Sequence, residues 1–337
     1  MTVVDRALSL LRPGRSRRQR PAPGPQRKIS LALQGGGSFG AFTWGVLDRL
    51  LDEETIAFDT VSGASAGAIN AMLLAAGLLE GGREQAKARL ARFWRRMSDA
   101  ATPMGYGGPG KDAGLDFLAK MMSPYQFNPL DLNPMRATLS EEIDFARLSG
   151  DDALRLMIVA TRVSDGRSRI FRNADISLDA VLASACLPQF QQAVMVDGDA
   201  YWDGGYALNP PIVPLAHESN ASHILVVQLT PARMDAPPRS RQDIKKHLDR
   251  IMFNATLNAQ IEALRIGAEA GATEKLRALR VDTIAAEDEV GNLASMSPAN
   301  LDWRFIEELR DGGRRAAAAW LLADDGKSEP PAPSAHA

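Results

Sequence analysis

The chain has 337 residues, of which 45% are hydrophobic and 24% charged, an ordinary composition for a globular protein. Its formal net charge of −2 excludes the strong basic excess typical of nucleic-acid-binding proteins. Its one cysteine, Cys186, excludes an intramolecular disulfide and suits a reducing compartment. No apolar run reaches the roughly 18 residues that would predict a membrane-spanning helix.

The N-terminus is unusually basic. A short apolar stretch, VVDRALSLL, precedes a run dense in arginine, proline and glycine. A secretory signal has the opposite order, with its positive charge before the apolar stretch. We therefore interpret residues 1–28 as a basic disordered arm, either solvated without a role or in weak contact with anionic lipid headgroups. At the other end, residues 323–337 are predicted to form a disordered tail.

Strands and helices alternate after the arm. The segment KISLALQ predicts a strand, GGGSFG a glycine turn, and AFTWGVLDRLLDE an amphipathic helix. FDTVS then predicts a second strand, GASAG a tight turn, and AINAMLLAAGLL a helix that is apolar nearly all round and hence buried. Two successive strand–turn–helix units indicate a parallel sheet covered by helices.

The rest of the chain fits the same sheet. LRLMIVATRV and HILVVQL predict two further central strands, and the glycine-, proline- and methionine-rich stretch before them predicts a loop or cover. From Ser240 to about Ala268 the pattern predicts a long amphipathic helix. Its apolar residues recur at helical spacing: Ile244, Leu248, Ile251, Ala255 and Ala259. We predict one α/β domain over residues 29–322, with a helical part at 240–322.

The glycine run has three interpretations. Gly35, Gly37 and Gly40 match the dinucleotide-binding spacing, with Asp59 as a candidate ribose ligand. However, that acid should close the second strand, whereas Asp59 precedes or begins it. Alternatively, glycines before a helix expose backbone N–H groups that can hold the negative oxygen formed during acyl transfer. The third interpretation is a tight turn without a ligand.

Ser65 is a candidate nucleophile. It lies between Gly63 and Gly67 at Gly-x-Ser-x-Gly spacing, with a predicted strand before and a predicted helix after. This context and the small neighbouring residues are typical of a nucleophile elbow. The N-terminus of the helix would also favour a developing alkoxide.

The identity of the base is less obvious. His217, His223 and His247 follow Ser65 in the chain, but each is better explained as a surface or capping residue. The segment VMVDGDAYWDGG predicts a hairpin that ends in Asp203, followed by two glycines. The Asp203 carboxylate could accept a hydrogen bond from Ser65 and form a two-residue pair, or Asp203 could only begin a turn.

Three ordered motifs carry a family resemblance. GGGSFG, GASAG and DGGYALNPP resemble the motifs of the patatin-like phospholipases. VLASACLPQFQQ is similar to the segment before the acid in that family, and SPYQFNPLDLNP resembles a bacterial branch of it. The likeness covers residues 29–215 well and the C-terminal third loosely.

The resemblance implies an α/β fold, three-layer α/β/α with a central mostly parallel sheet, and a lipid acyl hydrolase acting through an acyl-serine. It implies a dyad of Ser65 as nucleophile and Asp203 as base. Gly36 and Gly37, with Gly35 beside them, would form the oxyanion hole. No cofactor and no metal are implied, and the expected partner is a lipid or acyl-ester substrate. From the single cysteine and the basic arm, the expected location is cytoplasmic, with peripheral contact at the inner face of the membrane as the alternative in which the arm binds anionic lipid.

One residue departs from the family pattern. The family usually has a basic residue in the glycine loop where this chain has Phe39, which favours a less polar ester or headgroup binding by other residues. The departure also leaves open a lipid-binding protein without turnover; a dinucleotide-binding oxidoreductase and a conventional triad esterase are further alternatives. The candidate acyl pocket consists of four residues: Met121, Met122, Tyr125 and Phe127.

Overall fold

The structure is a computed structural model. It describes residues 26–104, 123–129, 131, 133–150, 152–233, 237–271 and 273–325. The expected arm up to residue 25 and the tail from residue 326 lie outside this part of the chain. Two boundaries differ from those predicted: Arg27 and Lys28 belong to the first strand, and residues 323–325 belong to the last helix. Within the described ranges, no helix has the length and apolar content needed to cross a bilayer.

Eight strands form one sheet. They are β1 (Arg27–Leu33), β2 (Ile56–Ala64), β3 (Arg155–Arg162), β4 (Ser168–Arg172), β5 (Val194–Val196), β6 (Asp199–Asp203), β7 (His223–Gln228) and β8 (Arg280–Ala285). The order is β5-β6-β3-β2-β1-β7-β8, and β4 also pairs with β3. The five strands from β3 to β8 in this order are parallel, whereas β4 and β6 pair antiparallel with β3, and β5 pairs antiparallel with β6. The prediction of a mostly parallel sheet is confirmed.

Helices cover both faces of the sheet. They are α1 (Gly40–Leu50), α2 (Ala66–Met104), α3 (Pro124–Phe127), α4 (Pro134–Glu142), α5 (Leu178–Ser184), α6 (Ile212–Glu218), α7 (Arg241–Glu269), α8 (Glu274–Ala278) and α9 (Trp303–Asp325). The helical run of α2 is broken at Gly81 and Gly82, where the backbone leaves helical geometry.

Strand alternation divides the core into two layers. Because successive side chains of a strand point to opposite faces, Leu225 and Val227 of β7 pack on one side and Ile224 and Val226 on the other. The first side is covered mainly by α1, α2, α5 and α9, and the second by α6 and α7. The result is the expected three-layer α/β/α arrangement.

Helix α9 packs closely on α1. The sequence pattern predicted a helical part at 240–322 but gave no bounds for this helix. Gly45 lies at the contact between α9 and α1, where an added Cβ would overlap the Arg310 carbonyl oxygen. Phe305, Ile306 and Leu309 of α9 are buried in the same layer. Burial of these side chains stabilises α1, the helix that begins directly after the glycine loop.

Helix α7 has the predicted length, but its predicted apolar stripe faces solvent. Leu248 is 59% exposed and Ile251 is 52% exposed. The opposite side of the helix packs on the sheet through Leu257 and Leu264 and also buries the polar side chain of Asn254. Periodicity therefore predicted the helix correctly without indicating which side packs on the core.

Candidate active site

Ser65 occupies a sharp turn between a central strand and a long helix. It is the only residue between β2, which ends at Ala64, and α2, which begins at Ala66. Its φ of 53° lies in the left-handed region, which residues other than glycine seldom adopt. The Ser65 N–H donates to both the carbonyl oxygen and the hydroxyl of Ser184, each at 3.1 Å. These bonds fix the turn and leave the side-chain hydroxyl of Ser65 available.

The two glycines of the elbow are required by close packing. An added Cβ at Gly67 would overlap the Leu33 carbonyl oxygen at the end of β1. At Gly63, an added Cβ would lie 2.6 Å from the Gly67 carbonyl carbon. Both positions therefore exclude larger residues, because the turn brings three backbone segments together at van der Waals distance.

Asp203 ends β6 and has a rigidly held backbone. Its N–H donates to the Cys186 carbonyl oxygen at 2.8 Å, and its own carbonyl oxygen accepts from the Thr161 hydroxyl at 2.7 Å. Its Oδ1 accepts from the Gly205 N–H at 2.8 Å, and the residue has no solvent exposure. These bonds define the direction of the Asp203 side chain and occupy one of its two carboxylate oxygens.

The second carboxylate oxygen of Asp203 is the acceptor that remains. Burial raises the pKa of Asp203 from 3.8 to about 7, while hydrogen bonding by the Ser65 hydroxyl and the Gly205 N–H opposes this rise. Oδ2 completes no hydrogen bond of normal geometry with the residues that the structure describes. The Ser65 hydroxyl is a neighbour of the Asp203 carboxyl. In unliganded active sites, catalytic hydrogen bonds are often long and tighten only when substrate binds.

The glycine loop lies directly against the elbow. An added Cβ at Gly35 would be 2.7 Å from the Ser65 Cβ. The Gly35 N–H donates to the Asn209 side-chain oxygen at 2.7 Å, so it is not available as an oxyanion donor, contrary to the expectation for Gly35. The N–H groups of Gly36 and Gly37 donate to no other described residue. Two of the three predicted donors are therefore free.

Gly37 has the conformation that most clearly requires glycine in this loop. Its φ is +58°, and an added Cβ would overlap the Pro298 carbonyl oxygen. The same oxygen accepts from the Ser38 N–H at 2.8 Å, which fixes the loop against the segment before α9. Phe39 is 5% exposed, and its ring packs edge to face on that of Phe305, with 6.2 Å between the ring centroids. Phe39 is therefore a packing residue of the core.

Asn209 belongs to the site but was not identified from the sequence. Besides accepting from Gly35, it donates through Nδ2 to the Phe253 carbonyl oxygen at 3.2 Å. Its N–H donates to the Thr256 hydroxyl at 3.2 Å, and the residue is fully buried. A polar residue within the otherwise apolar end of the DGGYALNPP motif was the available signal. Asn209 connects the glycine loop to the segment that follows Asp203 and to α7.

Gln34 makes a second connection between the glycine loop and α7. Its side-chain oxygen accepts from the N–H groups of Leu229 and Thr230, at 2.7 and 2.8 Å. Its Nε2 donates to the Asn254 side-chain oxygen of α7 at 3.0 Å. All polar atoms of this buried side chain are satisfied, which favours one fixed position of the loop.

Only one residue of the predicted acyl pocket has a described side chain. Met121 and Met122 lie outside the described residues, and nothing is described of the Phe127 side chain. Tyr125 is 58% exposed, and its hydroxyl accepts from the Ala193 N–H at 3.2 Å, next to β5. The acyl pocket therefore stays a prediction.

The alternative candidates for a base and for a ribose ligand lie elsewhere. Among the described histidines, none is hydrogen-bonded to Ser65, and His223 bonds instead to Asp282 at 3.1 Å. The carboxylate of Asp59 accepts from the N–H of Asn220 at 2.8 Å, and Asp59 lies in the first half of β2. The glycine loop follows the far end of the adjacent parallel strand, so Asp59 cannot reach a nucleotide bound there. The dinucleotide interpretation is wrong.

Comparison with known proteins agrees with the fold and the motifs. The model of the family described as patatin-like phospholipase matches residues 31–216, more than half of the chain. The chain belongs to this family. The uncharacterized protein YjjU of Escherichia coli (strain K12) is 27% identical over 214 residues, which cover 63% of this chain and 55% of YjjU. The chain thus spans about half the length of that relative.

Two solved structures are similar at low sequence identity. VipD from Legionella pneumophila is 14% identical with a TM-score of 0.39, and the match covers 89% of this chain and 68% of VipD. The type III effector protein ExoU is 15% identical with a TM-score of 0.33, and the match covers 90% of this chain and 54% of ExoU.

Proposed function

We propose that this protein hydrolyses acyl esters of lipids through a dyad of Ser65 and Asp203. One observation carries the proposal: a fully buried carboxyl with one unengaged oxygen lies beside a serine at a strand–helix turn. Membership of the patatin-like phospholipase family supports lipid hydrolysis in general. The dyad and the role of each residue are our proposal.

In the first half of the reaction, the Ser65 hydroxyl attacks the ester carbonyl carbon and its proton passes to Asp203 Oδ2. The carbonyl electrons move onto the oxygen, and the resulting oxyanion accepts hydrogen bonds from the N–H groups of Gly36 and Gly37. When the tetrahedral intermediate collapses, the bond to the leaving alkoxide breaks. That alkoxide takes the proton from Asp203 and departs as the alcohol, which leaves Ser65 acylated.

In the second half, water replaces the alcohol. Water attacks the acyl carbonyl carbon while Asp203 accepts one of its protons, and the same two amides bind the oxyanion. Collapse breaks the bond to the Ser65 oxygen, which recovers the proton from Asp203. A fatty acid is released, and both residues return to their starting protonation states.

Burial of Asp203 makes a carboxylate a sufficient base. An exposed aspartate is a much weaker base than imidazole, but the pKa of Asp203, raised to about 7 by burial, is close to the value of about 6.5 for free histidine. A general base with a pKa near the operating pH is effective because it is ionised and still binds a proton strongly. The dyad therefore needs no histidine.

The glycine loop bears on how the headgroup of the substrate is recognised. Since Phe39 is buried in the core, this loop places no cation where the family usually has one. We infer that phosphate recognition is not a function of the loop. Activity should be compared on phospholipid, lysophospholipid, monoacylglycerol and short-chain esters, because only such a panel separates these headgroups.

Two substitutions test the dyad. Ser65→Ala and Asp203→Asn should each abolish hydrolysis of a p-nitrophenyl acyl ester, because one removes the nucleophile and the other removes the base. Asp199→Asn, at the start of the same strand, is the matched control and should keep the wild-type rate. Substantial activity in Ser65→Ala would contradict the proposal. Lipid that co-purifies with a protein that never turns over would instead indicate a lipid-binding member of the family.

A further inference from the structure

The N-terminal half of α7 carries an apolar face that no described residue covers. Ile244, Leu248, Ile251 and Met252 are 43%, 59%, 52% and 39% exposed. Their spacing puts them on one side of the helix, opposite to the side that packs on the sheet. Single exposed apolar residues are ordinary on protein surfaces, but a contiguous group of four large ones marks an interaction site. We call these four residues the α7 apolar face.

Positive charge surrounds the α7 apolar face. Residues 239–252 contain five lysines and arginines and two aspartates, in a chain whose overall charge is −2. Arg241 and Lys245 are exposed, and neither forms a salt bridge with any carboxylate in the described ranges. By contrast, Arg265, nearer the other end of the same helix, pairs with both Glu262 and Glu269. The unpaired cations are therefore concentrated beside the exposed apolar residues.

This combination fits an anionic lipid surface better than a second copy of the chain. An apolar stripe bordered by lysine and arginine is the pattern of helices that lie in the headgroup region of anionic bilayers. In a symmetric dimer through the same face, the cations of both copies would come together and repel each other. Charge complementarity thus favours the bilayer.

The opposite side of α7 forms a wall of the candidate active site. Phe253 packs so closely on the loop after Asp203 that an added Cβ at Gly205 would be 2.5 Å from its ring. The centroids of the Phe253 and Tyr206 rings are 5.4 Å apart, and the Phe253 carbonyl oxygen accepts a hydrogen bond from the Asn209 side-chain amide. A bilayer bound to the outer side of α7 would therefore lie next to the site.

We propose that the α7 apolar face and its flanking cations dock this protein on anionic lipid bilayers. Docking explains why a protein that hydrolyses lipids exposes the large side chains of the α7 apolar face, one helix diameter from the candidate active site. The use of this surface rests on the proposed lipid hydrolysis, whereas the binding itself does not require turnover.

The test is vesicle sedimentation of the full chain carrying Ser65→Ala, so that no reaction product changes the bilayer. Vesicles of phosphatidylcholine alone are compared with vesicles that also contain phosphatidylglycerol. We expect binding to the mixed vesicles that weakens with added salt. Leu248→Ser with Ile251→Ser should weaken it at least tenfold, as should Arg241→Glu with Lys245→Glu, because each basic residue near an anionic surface contributes roughly fivefold.

Ile266→Ser is the matched control. Ile266 is 53% exposed on the same helix, about 22 Å further along it, among ion-paired charges, and its substitution should leave vesicle binding unchanged. Equal loss in this control, binding that does not depend on phosphatidylglycerol, or a stable dimer that buries this face would each overturn the proposal. Thermal unfolding of every variant identifies loss of folding. Because sedimentation is independent of hydrolysis, failure to dock is distinguishable from failure of the dyad.

Discussion

Replacing Asp203 with asparagine should abolish activity and yet stabilise the protein at neutral and higher pH. Burial raises the pKa of Asp203 from 3.8 to about 7, so the fold favours the protonated form. The contribution of protonated Asp203 to the free energy of unfolding is fully present below 3.8, the pKa of this group in the unfolded chain, and it is lost as pH rises through about 7. At 1.36 kcal/mol for each pH unit between the two values, ionised Asp203 lowers the free energy of unfolding by about 4 kcal/mol.

Asparagine keeps the shape and the acceptor for the Gly205 N–H without an ionisable group. The free energy of unfolding of Asp203→Asn should therefore exceed that of the wild type by up to about 4 kcal/mol near pH 8, and the difference should be small near pH 4. Urea denaturation followed by tryptophan fluorescence at both pH values measures it, with Asp199→Asn as the control for a half-buried aspartate. A difference between variant and wild type that does not change with pH would refute a buried, ionising Asp203.

Three further predictions follow from the site. The kcat/KM of the wild type should rise as pH increases through about 7, because only ionised Asp203 accepts the proton; a flat pH–rate profile would exclude it as the base. Gly37→Ala, at φ +58°, should lower kcat by roughly 10² to 10³, whereas Gly36→Ala, at an extended φ of 176°, should lose less; equal losses would contradict the assigned geometry. Asn209→Ala should lower kcat more than it changes KM, because the Gly35 N–H loses its acceptor, and it should lower the free energy of unfolding by about 1–3 kcal/mol. Asn173→Ala is the control: it also removes side-chain hydrogen bonds to the backbone, and it should keep the wild-type kcat.

The main elements of the fold could be predicted because their signals are local. The strands β1, β2, β3 and β7 contain runs rich in apolar and β-branched residues, and the glycine turns mark where the first two of them end. The predicted hairpin before Asp203 is present as β5 and β6. By contrast, β4 and β8 contain charged residues and are only partly buried, so their composition does not distinguish them from loops.

The parts of the site that were missed depend on contacts between distant residues. Gly35 and Asn209 are 174 positions apart, and nothing near Gly35 in sequence indicates that its N–H is occupied. Similarly, helical periodicity cannot distinguish the two sides of α7, because its inner side includes the polar residue Asn254, which hydrogen-bonds to Gln34 in the glycine loop. Tertiary structure therefore determined which glycine amides are free and which face of α7 is exposed.

The most direct test of the central claim is mass spectrometry of the protein after reaction with a fluorophosphonate probe, which forms a covalent adduct with activated serines. The proposed mechanism predicts a single adduct on the peptide that contains Ser65, absent in Ser65→Ala and strongly slowed in Asp203→Asn. An unlabelled wild-type protein, or labelling of Ser65 at the same rate in Asp203→Asn, would contradict activation of Ser65 by Asp203.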